Sequence, residues 1–234
     1  MGPHIPAMER VPEPELMEGR EQAAAYAAAD FSASDGAVVA RLGELFPEGL
    51  GPRVIDLGCG PGNISFLLAQ LQHPPALVLG IDGSDPMLAL AEAELRLRSS
   101  AEPALADRLQ FRRSRLPDPG LPGGFSAVVS NSLLHHLHDP AVLWRALAQL
   151  GAPGCRIYLK DLRRPADPQA AEALLRRHGA DAPPVLQHDY LASLHAAFTP
   201  AEVEGQLRAA GLASQLRVAA VEDRYLEVWG RLAG

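Results

Sequence analysis

Val54-Ile-Asp-Leu-Gly-Cys-Gly-Pro-Gly-Asn63 joins a short apolar run to a turn that has glycine at every second position, and a helical pattern follows. Glycine is needed where the backbone turns sharply and where a ligand approaches the main chain closely. Open α/β sheets bind ligands at the carboxyl ends of their strands, which is where Asp56 lies. The stretch predicts a strand, a ligand-binding loop and a helix, although any glycine-rich turn from strand to helix shares this pattern.

A second apolar run favours a nucleotide site. Residues 76–81 are apolar throughout, which is typical of a strand buried on both faces, and Asp82 follows directly. Asp82 comes after Asp56 at about the spacing expected for a carboxylate at the end of the neighbouring strand. Such a carboxylate accepts hydrogen bonds from the two hydroxyls of an adenosine ribose. The alternative is that Asp82 only caps the helix that follows.

Strands and helices alternate along most of the chain. Strand-like runs occupy residues 53–57, 76–81, 109–113, 125–130, 156–160, 215–221 and 224–229. Helical patterns occupy residues 17–29, 35–46, 63–72, 86–98, 140–150, 168–178, 189–197 and 200–210. This order predicts an α/β fold with a Rossmann-like, doubly wound sheet of seven strands, mostly parallel with an antiparallel edge strand.

The other segments predict coverings for this core. Residues 1–48 combine a proline-rich arm with two helices that would cover the pocket. Residues 49–234 would form the Rossmann-like domain. A helical stretch at about 163–212 is longer than a usual crossover, so it predicts an inserted cap.

The composition limits the classes of partner. Acidic residues outnumber basic ones by 28 to 21, whereas proteins that bind nucleic acid through bulk charge are usually basic. Only two cysteines are present, Cys59 and Cys155, which favours a reducing, cytoplasmic setting. Residues 1–21 have no apolar core of signal-peptide length, and no run approaches the roughly 18 apolar residues of a membrane span. We expect a small-molecule substrate, no nucleic-acid or membrane partner, and a monomer or homodimer.

The charge of the loop bears on the ligand. A dinucleotide needs a binding site for its pyrophosphate at the N-terminus of the helix. The carboxylate of Asp56 would repel a pyrophosphate, but it would attract the ammonium group of a methionine moiety. The string Asp56-Leu-Gly-Cys-Gly-Pro-Gly62 resembles the first motif of class I S-adenosylmethionine-dependent methyltransferases. Ile81-Asp82 resembles their second motif, and residues 130–140 resemble their fourth-strand motif.

This resemblance implies S-adenosylmethionine as the cofactor, with Asp82 holding the ribose and Asn131 beside the reactive methyl group. The family usually has an acidic residue facing the adenine amine, but this sequence has Ser114-Arg115-Leu116 there. Main-chain groups of Arg115 and Leu116 would then recognise the adenine. The expected cofactor contacts are Tyr26, Asp56, Gly58, Gly60, Gly62, Asn63, Asp82, Gly83, Met87, Arg115, Leu116 and Asn131.

Candidate acceptor residues are less strongly patterned. His135, His136 and His138 suggest a metal site, but the fourth ligand is missing and no Cys or Glu is expected nearby, so we expect no metal. His135 and His136 would instead contact the substrate or take a proton, unless local hydrogen bonds satisfy them. Lys160, Asp161 and Arg163, after the fifth strand, would bind charged groups of the substrate; an internal ion pair between Lys160 and Asp161 is the alternative.

The covering helices supply four more candidates. Tyr26 and Asp30 are four residues apart and would share one helical face directed into the pocket. Asp189 and Tyr190 lie in the predicted cap. For Tyr26 and Asp30, exposure to solvent is the alternative.

Several segments outside the cofactor motifs resemble the methyltransferase module of ovothiol biosynthesis. They include residues 15–17, Gln22, Tyr26, residues 29–31, 130–137, 189–194 and 197–200. The resemblance implies N-methylation of a histidine-derived thiol such as 5-thiohistidine, by a version of the module that is not fused to a sulfoxide synthase. The alternatives are a methyltransferase for another small metabolite, a nicotinamide-dependent oxidoreductase, or a binding module without catalytic activity.

Overall fold

The structure is a computed structural model that describes residues 8–14 and 16–234. Its described residues form seven strands. These are β1 (Arg53–Leu57), β2 (Leu77–Asp82), β3 (Leu109–Arg113), β4 (Phe125–Asn131), β5 (Gly151–Leu162), β6 (Leu216–Val221) and β7 (Tyr225–Arg231).

The strands form one sheet in the order β3-β2-β1-β4-β5-β7-β6. Pairing is parallel from β3 to β5, and β7 runs antiparallel to both β5 and β6. The predicted seven-stranded, mostly parallel sheet with an antiparallel edge is therefore confirmed. Because β1 and β2 are neighbours, Asp56 and Asp82 both lie near the carboxyl edge of the sheet, with Asp56 paired to Gly80.

Helices cover both faces of the sheet. They are α1 (Arg20–Ala28), α2 (Ser32–Leu45), α3 (Asn63–Ala69), α4 (Asp85–Ser99), α5 (Pro103–Arg108), α6 (Ala141–Leu150), α7 (Pro168–His178), α8 (Pro184–Ala196) and α9 (Pro200–Ala209). The sequence patterns predicted all of these except α5, and Leu134–His136 adds a single 3₁₀ turn.

The alternation of strand side chains divides the core between the two faces. Ile55 and Leu57 of β1 pack in a cluster with residues of α6 and α9 on one face. Val54 points the other way, into a cluster that includes residues of α2, α3 and α5. Helix α9 thus packs against the sheet although it belongs to the segment predicted as a cap.

A third apolar cluster joins the N-terminal arm to α7 and α8. It contains Met8, Leu162, Ala171, Leu174, Leu194 and Ala197. The amide of Met8 donates to the carbonyl of Ala166, and that of Val11 donates to the carbonyl of His195. Residues 8–14 of the predicted arm therefore lie against the helices after β5; residues 1–7 are outside the described part.

Two local predictions are wrong. Helix α8 begins at Pro184 rather than Asp189, because proline is tolerated in the first turn of a helix. Helix α1 ends at Ala28, so Tyr26 and Asp30 do not share a helical face. Asp30 instead accepts a hydrogen bond from the amide of Ser32, at the start of α2.

Among the described residues, none of the helices combines the length and apolar character that a membrane span requires.

Candidate active site

A cavity of about 740 Å³ lies at the carboxyl edge of the sheet, within the range of roughly 300–1,000 Å³ typical of ligand pockets. Its walls fall into two parts. The glycine-loop half follows β1, β2 and β3 and comprises residues 56–61, 63–64, 81–84, 87 and 114–116, together with Asp35 of α2. The histidine half follows β4, β5 and the β6–β7 hairpin and comprises residues 131–133 and 135–137, Lys160, Arg224, Tyr225 and parts of α8.

Left-handed backbone forms the glycine loop. Gly60 and Gly62 have φ values of 54° and 89°, which favour glycine. A Cβ atom at Gly62 would also lie 2.6 Å from the ring of Phe111, whereas Gly60 has open space beside it. The turn is anchored by the amides of Gly58 and Cys59, which both donate to the carbonyl of Ile81. The loop thus presents open main chain to the cavity at Gly60.

Asp82 is fixed by the main chain on both sides. Its Oδ2 accepts from the amide of Gly60 at 2.9 Å, and its Oδ1 accepts from the amide of Ser84 at 2.8 Å. Burial raises the pKa of Asp82, while these amide hydrogen bonds lower it. The N-cap of α4 is Ser84, so capping does not account for Asp82. Each carboxylate oxygen keeps a lone pair for a ligand hydroxyl.

Two more carboxylates give this half a negative character. Asp56 is almost fully buried and accepts a hydrogen bond from the hydroxyl of Ser65 at 2.6 Å. Burial, together with the charges of Asp82 and Asp35, raises the pKa of Asp56 to about 7. Asp35 accepts from the side-chain amide of Asn63 at 3.1 Å, and burial raises its pKa as well. A cationic group bound here would favour the ionised forms.

The outer wall of the glycine-loop half is closely packed. A Cβ atom at Gly83 would lie 2.9 Å from Cγ of Arg115 and 2.7 Å from Cδ2 of Leu16. Met87 and Leu116 also line this part of the cavity. The hydroxyl of Ser84 donates to the carbonyl of Met17 at 2.6 Å. The segment that precedes α1 therefore forms part of the wall around the predicted adenine position.

His135 lies at the centre of the histidine half and is buried. Its Nδ1 is 2.5 Å from Oδ1 of Asp161, and the other carboxylate oxygen of Asp161 accepts from the amide of Leu134 at 2.7 Å. Burial lowers the pKa of His135, but the carboxylates of Asp161 and Glu13 outweigh burial, so the pKa is raised. Burial and the neighbouring His135 hold the pKa of His136 well below its usual value.

Lys160 and Asp161 point to opposite faces of β5, as adjacent strand residues must. Lys160 lines the cavity, lies 4.2 Å from the ring centre of Tyr225 and is 3.5 Å from a carboxylate oxygen of Glu222. Asp161 contacts His135 and is not part of the cavity wall. The prediction that Asp161 contacts the substrate is therefore not met, and neither is the alternative of a Lys160–Asp161 pair.

Arg163 is also outside the cavity wall, because its guanidinium donates to the carbonyls of Glu222 and Asp223. Arg224 occupies the wall instead. Its Nη1 donates to the hydroxyl of Tyr190 at 3.4 Å, and its Nε is buried without a hydrogen-bond partner among the described residues. The sequence reasoning missed Arg224; its position at the end of a hairpin beside β5 was the available signal.

The remaining candidates line the cavity at different depths. Tyr26 packs against Phe31 with ring centres 4.7 Å apart, and burial raises the pKa of its hydroxyl. Asn131 ends β4, opposite Lys160 in the sheet register. Asp189 accepts from the side-chain amide of Gln22 at 2.7 Å, which links α8 to α1. Asp30 is exposed at the rim, and its hydrogen bonds from Ser32 lower its pKa.

Glu13 was missed entirely by the sequence reasoning. The arm brings its carboxylate to within 3.5 Å of His135 Nε2 and 3.2 Å of His136 Nδ1. The premise that no glutamate lies near the histidines is therefore wrong. His138 is separate from this group, since its ring nitrogen contacts the main-chain carbonyl of Glu13.

Comparisons with known proteins agree with this geometry. Residues 55–157 match a family described as a methyltransferase domain. A ubiquinone biosynthesis O-methyltransferase of Ralstonia nicotianae is 32% identical over 171 residues, covering 71% of this chain and 66% of that protein. A trans-aconitate 2-methyltransferase of Methylobacterium radiotolerans is 40% identical over 104 residues, covering 44% of this chain and 35% of that protein. The plantazolicin methyltransferase BpumL, solved with a desmethylPZN analog and SAH, superposes with a TM-score of 0.68 at 13% identity, covering 92% and 90% of the two chains.

The chain thus spans less than two thirds of the length of these curated relatives. The fold and the site define a Rossmann-like α/β protein. Residues 55–157 match a methyltransferase domain, and the fold superposes on that of a solved methyltransferase. Together these findings support the S-adenosylmethionine-dependent methyltransferase that the motifs predicted.

Proposed function

We propose that this chain is an S-adenosylmethionine-dependent methyltransferase that acts on a small molecule. The observation that carries the proposal is Asp82, which the amides of Gly60 and Ser84 hold at the edge of a cavity that also contains Asp56. This arrangement suits a ribose whose hydroxyls donate to one carboxylate.

The charges of the glycine-loop half favour S-adenosylmethionine over a dinucleotide. Asp35, Asp56 and Asp82 all line this half, and Arg115 is the one cationic side chain among its described residues. Three carboxylates suit the sulfonium and ammonium groups of S-adenosylmethionine, whereas they would repel a pyrophosphate. A nicotinamide-dependent oxidoreductase is therefore the weaker candidate.

The residues of this half have distinct roles in the proposal. Asp82 binds the ribose, Asp56 and Asp35 attract the ammonium group, and the main chain at Arg115 and Leu116 recognises the adenine. Tyr26 and the segment that contains Leu16 and Met17 exclude water. Further cofactor contacts come from Gly58, Gly60, Gly62, Asn63, Gly83, Met87 and Asn131.

Methyl transfer requires alignment more than acid–base chemistry. When bound, S-adenosylmethionine supplies an electrophilic methyl group with a good leaving group. The protein must hold an acceptor atom in line with that methyl group and keep water away, so proximity provides much of the acceleration. Asn131, His135 and His136 line the wall beside the expected methyl position, and we assign them to orient the acceptor.

We further propose that the acceptor is a histidine-derived thiol such as 5-thiohistidine, methylated on a ring nitrogen. Arg224 and Lys160 are cations in the same half of the cavity and suit the carboxylate of an amino acid. Asp189, Tyr190 and Asp30 suit its ammonium group. The resemblance to the ovothiol module supports the same acceptor. A neutral imidazole nitrogen is nucleophilic, so its lone pair would form the new N–C bond as the S–C bond of the cofactor breaks. S-adenosylhomocysteine would leave, and the methylated ring would lose its N–H proton to solvent.

The acceptor is tested by incubating the protein with S-adenosylmethionine and 5-thiohistidine, with plain histidine as the control. We expect a mass increase of one methyl group and altered ring-proton NMR signals for the thiol. Faster methylation of a di- or tricarboxylate, which the Arg224–Lys160 pair would also suit, would replace this acceptor and leave the methyltransferase proposal intact. The absence of transfer to any acceptor in a broad screen, despite cofactor binding, would favour a binding module.

A further inference from the structure

Glu13, His135 and His136 bring three ligand atoms together in the wall of the cavity. All three atoms lie within 4.8 Å of one another. Oε1 of Glu13 is 3.5 Å from Nε2 of His135 and 3.2 Å from Nδ1 of His136. Two ligand atoms that each lie about 2.0–2.1 Å from a tetrahedral zinc ion are about 3.3 Å apart. The distances from Glu13 to the two imidazole nitrogens are therefore close to those expected at a zinc site.

The neighbours of these residues hold them in a ligating orientation. Nδ1 of His135 is engaged by Asp161, which leaves Nε2 directed towards Glu13. Histidines that bind metals usually donate their second ring N–H to a carboxylate or carbonyl in this way. The carboxylate of Glu13 accepts from the hydroxyl of Ser193 at 3.0 Å. The group is thus supported by a second layer of hydrogen bonds.

His136 supplies an independent observation. Its Nδ1 is buried, lies beside Glu13, and makes no hydrogen bond of acceptable geometry to any described residue. Buried polar atoms in folded proteins nearly always have a partner, because an unpaired one costs free energy. A metal ion between Glu13 and the two imidazoles would occupy this nitrogen.

We propose that Glu13, His135 and His136 bind one zinc ion with an exchangeable fourth position that faces the cavity. Two imidazoles and one carboxylate form a ligand set typical of zinc sites that keep a position open. Both histidines line the cavity, whereas Glu13 approaches from the arm, so the open position lies on the cavity side. The site itself does not depend on the proposed methyltransferase activity.

The proposal also gives the open position a ligand. Zinc binds thiolates well, so a thiol-bearing acceptor would complete the coordination and be fixed before transfer. This part rests on the proposed function. It would make His135 and His136 act through the ion, and it would bind the arm that carries Glu13 to the core of the protein.

The site is tested by titrating the metal-free full chain with Zn²⁺ alone, in competition with a chromophoric chelator. We expect one ion per chain. Asp161→Asn should weaken zinc affinity by about 10- to 100-fold, and Glu13→Gln and His136→Ala should weaken it at least as much. Glu9→Gln, on the same arm and exposed, and His73→Gln, on a distant loop, are matched controls that should bind zinc normally.

Unaltered circular dichroism shows that each variant is folded. Equal zinc affinity in Glu13→Gln and Glu9→Gln, or less than one ion per wild-type chain, would overturn the site. Parallel titrations with Fe²⁺ and Mn²⁺ test the identity of the ion, and tighter competition by either would overturn the assignment to zinc.

The open position is tested with Co²⁺ in place of zinc and 2-mercaptoethanol as the probe. A thiolate that enters the coordination sphere should produce a sulfur-to-cobalt charge-transfer band in the near ultraviolet, which Glu13→Gln should lack. The absence of this band in Co²⁺-loaded wild type would overturn the exchangeable position. Because neither experiment contains S-adenosylmethionine or an acceptor, failure here is distinguishable from failure of the proposed function.

Discussion

The two halves of the cavity are built in different ways. In the glycine-loop half, Asp56, Gly60 and Asp82 sit at the ends of neighbouring parallel strands, and main-chain amides fix Asp82. In the histidine half, the side chains come from segments far apart in the sequence, such as the arm with Glu13 and the hairpin with Arg224.

This difference matches two tasks: the glycine-loop half would bind a cofactor that many proteins share, and the histidine half would recognise a particular acceptor. Main-chain contacts tolerate substitution elsewhere, so one loop geometry can serve one cofactor on many chains. Side chains gathered from distant segments can change one at a time, which suits recognition of a particular acceptor. The two halves should therefore respond independently to mutation.

The largest effect is expected for Asp82→Arg in the glycine-loop half. Loss of two charge-assisted hydrogen bonds and the entry of a bulky cation should cost about 2–4 kcal/mol, or about 30- to 1,000-fold in the dissociation constant of S-adenosylhomocysteine. Calorimetry measures the affinity, and circular dichroism checks folding. Asp85→Asn, an exposed change at the first residue of α4, is the control. Unchanged affinity in Asp82→Arg would rule out the ribose contact, and altered zinc affinity would show that the halves are coupled.

A smaller effect, confined to the histidine half, is expected for Arg224→Gln. Removing a hydrogen-bonded charge should raise the KM of an anionic acceptor by about 10- to 100-fold, while S-adenosylhomocysteine affinity stays within about twofold because the halves are independent. Steady-state kinetics and calorimetry measure the two quantities. Arg217→Gln on the exposed side of β6 is the matched control. Equal losses in both quantities would contradict the division of the cavity.

Cofactor affinity should depend on pH through the glycine-loop half. Burial raises the pKa of Asp56 to about 7, and the pKa values of Asp82 and Asp35 are raised as well. A cationic ligand binds the ionised form, so below this pH binding must release a proton. The dissociation constant of S-adenosylmethionine should increase by up to about tenfold for each pH unit below 7 and level off above about 8. Asp56→Asn should bind more weakly with a flatter profile; tighter wild-type binding in acid would contradict the account.

The smallest effect is expected for Arg115→Gln. If main-chain groups of Arg115 and Leu116 recognise the adenine, the side chain can change while those groups remain, and the affinity for S-adenosylhomocysteine should alter by less than about threefold. Calorimetry on Arg115→Gln and wild type measures this difference. A loss of tenfold or more would assign adenine recognition to the side chain of Arg115.

The glycine-loop half could be predicted well from the sequence because its residues lie in short segments at the ends of two strands. Three glycines, Asp56 and Asp82 follow two apolar strands, and strand order brings them to one edge of the sheet. Strand alternation could also have shown that Lys160 and Asp161 face opposite ways. Likewise, Pro183-Pro184 could have indicated the true start of α8.

The histidine half could not be predicted in the same way. Glu13 reaches His135 only because the arm packs on α8, and no local pattern encodes that path. Arg224 lines the cavity instead of Arg163, because the guanidinium of Arg163 donates to the carbonyls of Glu222 and Asp223 in the β6–β7 hairpin. These contacts depend on tertiary packing between segments that are more than 100 residues apart for Glu13 and His135 and about 60 residues apart for Arg163 and the hairpin.

Calorimetric titration of the full chain with S-adenosylhomocysteine, and separately with NADH and NADPH, tests the central proposal most directly. The account predicts one site per chain for S-adenosylhomocysteine, lost in Asp82→Arg, and no binding of either nicotinamide cofactor. Binding of NADH or NADPH with none of S-adenosylhomocysteine would contradict it.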